Sequence, residues 1–194
     1  WYDQSGNGNH AEQTTATAQP KIVSDGVLVT ENGKPALSFD GVLGGTGMRI
    51  GSGVLSSRSD SFMLMSTDDS RFTITDAGGV FKSWTGQLNN SSSQITNNFG
   101  SPVLFTNGTE PAQSIRDDIF DAISGMGQVI LSTIDSDTSS WNYKNIFNAY
   151  GFEVEGTLQE FIIYPSDQSA NRQVIEYNIN NYYSIYSAPS GMAD

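Results

Sequence analysis

The sequence predicts an all-β protein, a single domain over residues 1–194 built as two facing antiparallel sheets, with one helix at its C-terminal end. Three observations carry this expectation. Short apolar runs are punctuated by Asx-Gly and Gly-rich turns, and near the end the apolar spacing lengthens to three and four residues over a long stretch. The composition agrees, with 20 glycines and 11% aromatics but only 15% charged residues, so Asn, Ser, Thr and Gln supply the polar surface. At 194 residues the chain is long enough for one sizeable core.

The opening stretch Trp1-Tyr2-Asp3-Gln4-Ser5-Gly6-Asn7-Gly8-Asn9-His10 reads as a strand end running into a rigid turn, because Asp, Ser and Asn side chains bond their own backbone. Asp3, Ser5, Asn7 and Asn9 place oxygen atoms at every second residue, a pattern that would also suit calcium, although no closing bidentate Glu follows. Trp1 resembles a start partway through a longer protein, of which this would be the C-terminal part.

Two hairpins are expected next. Lys21-Ile22-Val23 and Val27-Leu28-Val29 flank Ser24-Asp25-Gly26, and Asn32-Gly33 separates that second run from Pro35-Ala36-Leu37-Ser38-Phe39. Asx-Gly supplies the positive φ angles of tight hairpin turns. The glycines from Gly44 to Gly47 read as an exposed loop. Ser61 to Ser66, a continuous apolar run between serines, fits a strand buried on both faces. Arg71 to Thr75 and Val80 to Trp84 alternate as half-buried strands do, and the Asn- and Ser-rich stretch from Gly86 to Gly100 reads as a loop or weak edge.

Pro102 to Phe105 is a strand turned by Asn107-Gly108, and Ile115, Ile119, Phe120 and Ile123 would also suit one short helix. Gln128 to Ile134 is the clearest buried strand of the second half, with Asp135 to Ser140 as its polar exit. Trp141 to Phe147 mixes aromatics with Asn, as an edge strand or a binding loop would. Leu158 to Tyr164 is a strand stopped by Pro165, after which Ser166-Asp167 can cap a helix carrying Ile175, Ile179, Tyr182, Tyr183 and Tyr186 in one stripe.

The Trp-Tyr-Asp-Gln-Ser-Gly-Asn-Gly-Asn-His opening, Gly33-Lys34-Pro35-Ala36-Leu37-Ser38-Phe39-Asp40-Gly41, Gln159-Glu160-Phe161-Ile162-Ile163-Tyr164 and Asn178-Ile179-Asn180-Asn181-Tyr182-Tyr183 resemble the concanavalin A-like, laminin-G-like jelly-roll superfamily. More closely, they resemble modules of bacteriophage virion and tail proteins and of marine bacterial surface proteins, distantly related to family 54 α-L-arabinofuranosidase catalytic domains. The resemblance implies a jelly-roll sandwich located on a virion or cell surface. It also implies an adhesive or decorating role, with glycans, cell-surface polysaccharide or neighbouring subunits as partners in a homo-oligomer. Fold alone does not fix activity.

Chemistry narrows the choice further. Twenty-one acidic against 9 basic residues give a net charge of −12, which repels nucleic acid and anionic membranes. No apolar run is long enough for membrane insertion. Without cysteine there are no disulfides and no thiolate metal site, and the vicinal cysteines beside an arabinofuranosidase nucleophile have no counterpart. Asp135, Asp137, Glu153, Glu155 and Glu160 are the carboxylates available to a hydrolase, and their spacing selects no pair. His10 is the single histidine, at the end of a turn. A non-enzymatic module is therefore expected, with an arabinofuranosidase-like glycoside hydrolase as the alternative, and the module's sugar-contacting residues would be Trp84, Trp141, Asn142, Tyr143 and Asn145, aromatics beside amides in or near loops.

Overall fold

A computed structural model describes residues 1–42, 47–50, 58–70, 89, 91–93, 101–137, 144–146, 148–149 and 152–187. The expected strands at Arg71 to Thr75 and Val80 to Trp84 lie outside these residues, as does most of the Gly86 to Gly100 stretch and of the Gly44 to Gly47 loop. The elements in chain order are β1 (Ala11–Glu12), a 3-10 turn (Ala16–Ala18), β2 (Val23–Ser24), β3 (Val27–Leu28), β4 (Thr30–Glu31), β5 (Lys34–Pro35), β6 (Leu37–Asp40) and β7 (Met48–Ile50). Then come β8 (Arg58–Ser66), β9 (Val103–Thr106), α1 (Arg116–Asp121), β10 (Gln128–Asp137), β11 (Lys144–Ile146), β12 (Asn148–Ala149), β13 (Phe152–Glu153), β14 (Glu155–Tyr164) and α2 (Arg172–Tyr183).

All strand pairings are antiparallel among the described residues. The larger sheet runs β6-β14-β8-β10-β9 and a smaller one runs β1-β7-β11, with short two-stranded pieces beside them. Both hairpins form where Asx-Gly predicted them: Asp25 and Gly26 take φ of 52° and 80°, Asn32 and Gly33 take 49° and 72°. Asn107-Gly108 turns β9 in the same way, and the Asn107 side chain accepts a hydrogen bond from the Ile130 N–H at 2.9 Å.

The run at Ser61 to Ser66 is buried on both faces because β8 lies in the middle of the larger sheet. Met63 and Met65 point to one side and join Phe39, Leu104, Val129, Leu131 and Leu158 of that sheet with Ala11, Met48, Ile50 and Ile146 of the smaller one. Ile119 and Ile123 of the α1 region complete this core, which settles the short-helix alternative in favour of a helix. Phe62 and Leu64 point the other way, with Ile130 and Ile134, under Ile175, Ile179, Tyr183 and Tyr186. The smaller sheet and α2 therefore pack on opposite faces of the larger one.

Three expectations need correction. The strand at Gln128 does not end at Ile134: β10 continues to Asp137 across a register shift, with Asp135 at φ 67° and its N–H donated to the buried Asp60 carboxylate at 2.7 Å. Ser166-Asp167 does not cap α2, because Asp167 instead accepts from the Ser169 N–H and pairs with Arg58 at 3.2 Å; the helix starts after Asn171. The apolar stripe is also narrower than its spacing implied. Tyr182 is 62% exposed with the Lys34 ammonium 4.1 Å from its ring, and Tyr186 lies beyond the helix, past Ser184 at φ 58°. Tyr186 reaches the core because Asn180, itself buried, accepts from its N–H and donates to its carbonyl.

The helix is fixed to the sheet by polar groups within this apolar layer. Ser132 of β10 donates to Glu176 at 2.6 Å, and Arg172 pairs with the other Glu176 oxygen at 2.5 Å while its guanidinium lies 3.7 Å from the Phe105 ring centroid. Glu176 is 1% exposed, so its charge depends on these partners; leaving such a charge unpaired costs about 3–5 kcal/mol. On the next strand Gly156 is required by close approach. A Cβ there would lie well inside contact distance of the Ser66 carbonyl oxygen and 3.0 Å from Thr67 Cβ. Gly156→Ala is accordingly expected to destabilise the fold by about 1–3 kcal/mol, read as a lowered urea midpoint, and an unchanged midpoint would refute the close packing of β14 on β8.

Candidate functional site

The stretch before β1 folds back on itself. The Trp1 amino group donates to the Ala11 carbonyl at 2.7 Å and the Ala11 N–H returns a bond to Trp1 at 2.9 Å, so the segment begins as a strand-like pair. Asp3 organises what lies between. Its two carboxylate oxygens accept from the Ser5 N–H at 2.8 Å and the Asn9 N–H at 2.9 Å, and its own N–H donates to His10 Nδ1 at 3.0 Å. Ser5 Oγ in turn accepts from the Asn7 side chain at 3.0 Å. His10 thus closes the loop, its ring in edge contact with Tyr2 at 5.2 Å.

Because this loop is held from within, Trp1 and Tyr2 are left outward, 42% and 76% exposed. They stand between two clefts. One, of about 450 Å³, is walled by Trp1 to Ser5 and by Gln159 to Ile163, with Ala11, Ile50 and Ile146 below. The other, of about 740 Å³, is lined by His10, Glu12, Gln13, Thr14, Gln19 and Gln159 among others. Aromatic faces beside amides and carboxylates are the inventory of a site for a polar ligand with apolar patches.

Two carboxyls on the 450 Å³ cleft sit in opposite environments. The Ser5 hydroxyl, then the Asn9 and Ser5 N–H groups, hold the Asp3 carboxyl down at about 2. Burial raises Glu160 above its ordinary value, against a hydrogen bond with Tyr183 that lowers it. The Tyr183 hydroxyl is pushed up to about 12, by burial first and then by the Glu160 charge.

The residues expected from sequence are placed unevenly. Asp3, Ser5, Asn7 and Asn9 share one loop, in which the Asp3 and Ser5 oxygens accept from the loop's own N–H groups. Among the described residues no group of three or more His, Asp or Glu is assembled to hold a metal ion. Trp84, Trp141, Asn142 and Tyr143 lie outside the described residues, and of Asn145 only the backbone is described, paired with Arg49 on the smaller sheet. Asp135 pairs with Arg58 at 3.1 Å and Glu155 begins β14, away from either cleft lining. Trp1 and Tyr2 were passed over as ligand contacts, since nothing in their pattern distinguishes an exposed aromatic from a buried one. No described helix is long and apolar enough to cross a membrane.

The Asp3 interactions set a pH dependence. A carboxyl held below its unfolded value contributes order that is fully present above about pH 4 and is lost as pH falls through about 2. The Ser5 and Asn9 amide resonances should therefore shift together with a midpoint near 2, and Asp3→Asn should abolish that step; a midpoint at the ordinary aspartate value would contradict the loop geometry.

Compared with known family models, curated proteins and solved structures, the chain matches none.

Proposed function

We propose that this chain is a non-enzymatic, concanavalin A-like jelly-roll module of a virion or cell surface, acting in adhesion or decoration by contacting neutral glycans and neighbouring subunits. The observation that carries the glycan reading is the exposed Trp1-Tyr2 pair set between two amide-lined clefts. An aromatic face stacks on the C–H side of a pyranose while amides and carboxylates take its hydroxyls. Among the described residues the two cleft linings carry Asp3, Glu12 and Glu160 but neither Lys nor Arg, and the chain is at −12, so neutral polysaccharide fits better than an acidic one. The two-faced packing of β8 supports the sandwich part of this reading, and particle or surface location rests on the resemblance of the sequence motifs. Symmetric multimers go with such a role.

An arabinofuranosidase-like hydrolase is the second reading, favoured by one observation. Asp3, kept ionised, and Glu160, shifted toward its protonated form, line the same cleft, and glycosidases divide acid and base roles between carboxyls in this manner. Against it, both Asp3 oxygens are already engaged by the loop.

Immobilised neutral polysaccharides should retain the protein. Tyr2→Ala should bind on the order of tenfold more weakly, ~1.4 kcal/mol, and no reducing sugar should be released. Absence of retention across the panel would remove the glycan role, and sugar release abolished by Glu160→Gln would replace it with the hydrolase.

A further inference from the structure

We infer that the outer edge of β14 between Gln159 and Ile163 takes up an extended, cationic peptide strand from a partner protein, seated against the wall formed by Trp1 to Ser5. The pairing pattern opens this edge. β6 accompanies β14 only from Glu155 to Leu158, whereas β8 continues alongside it to Tyr164. Among the described residues no strand pairs with the outer side of β14 beyond Leu158. At this point β14 has a register irregularity against β8 between Leu158 and Glu160, and the Gln159 side-chain amide donates to the carbonyls of Glu31, Lys34 and Pro35.

The 450 Å³ cleft lies along that edge. Five consecutive residues, Gln159 to Ile163, line it. Successive side chains in a strand point to opposite faces, so a space touched by all five must run along the backbone edge itself. An edge of this kind offers N–H and C=O groups at a regular repeat, which an added strand matches residue by residue along its length.

The side chains define the occupant. Phe161 and Ile163 belong to the core shared with Ile50 and Ile146, so alternate residues of an added strand meet an apolar floor. Glu160 lies on the other side of β14 beside Tyr183, Asp3 stands in the facing wall, and among the described residues no Lys or Arg lines the cleft. Alternating apolar and basic residues match this pattern. A second copy of the chain fits poorly, since 21 acidic residues outnumber 9 basic ones.

The test uses acetyl-Val-Lys-Val-Lys-Val-amide and its Glu-for-Lys counterpart, with amide hydrogen exchange followed by NMR. The Lys peptide should slow exchange of amides within Glu160 to Ile163 at least tenfold and leave the hairpin at Asp25-Gly26 unchanged. The Glu peptide should bind at least tenfold more weakly, and Glu160→Lys should reverse that preference. No slowing at β14, or equal binding of the two peptides to the unaltered protein, would overturn the inference without relying on the variant's folding. Protection at β14 in a protein that retains no polysaccharide would support the strand site while removing the glycan reading; retention without protection would do the reverse.

Discussion

Burial of β8 on both faces is the constraint from which the rest of the structure follows. Phe62, Met63, Leu64 and Met65 are each no more than 1% exposed, yet consecutive side chains of a strand must face opposite ways. Two layers of cover are therefore needed. The smaller sheet and the α1 region close over the methionines, and α2 closes over Phe62 and Leu64. Burying side chains of this size contributes about 1.5–3 kcal/mol apiece, so neither layer can lift away without exposing much of the molecule's stabilisation.

Polar groups then choose one arrangement among the many that would bury the same area. The Ser132 to Glu176 hydrogen bond and the stacking of Arg172 on Phe105 favour one position of α2 along β10, since a slide breaks both while the Arg172–Glu176 pair travels with the helix. Asn32 adds a second tie, donating to the Tyr183 carbonyl at the end of the helix at 2.7 Å. Arg58 does the same work at the other end, joining the buried Asp60 to Asp135 and Asp167, so that the β10 irregularity and the loop before α2 are held together. The open edge of β14 and the outward Trp1-Tyr2 pair are features that this framework supports but does not consume.

Much of the framework was legible in the sequence, for local reasons. Asx-Gly marks hairpins because its φ preference acts within two residues, and the run at Ser61 to Ser66 signals double burial because no polar side chain interrupts Phe62 to Met65. The helix was legible in its apolar positions Ile175 and Ile179. It was less so in Tyr182, which stays exposed with Lys34 of a distant hairpin over its ring, or in Glu176 and Asn180, which look like solvated polar residues until their partners are in place. Likewise, Gly156 is one glycine among 20 until Ser66 is seen against it. The candidate site was the least legible part. Asp3 was recognisable as a turn former, but the exposure of Trp1 and Tyr2 and the placement of Asp3 and Glu160 on one cleft arise from segments more than a hundred positions apart.

Native-state hydrogen exchange along β8 tests the central claim most directly. If this strand is covered on both faces, the amides from Phe62 to Met65 should exchange only through global unfolding, with opening free energies equal to that of the whole protein and at the slow limit of the larger sheet. Exchange of those amides through a local opening, while β9 or the smaller sheet stayed protected, would contradict a structure organised around a doubly buried strand.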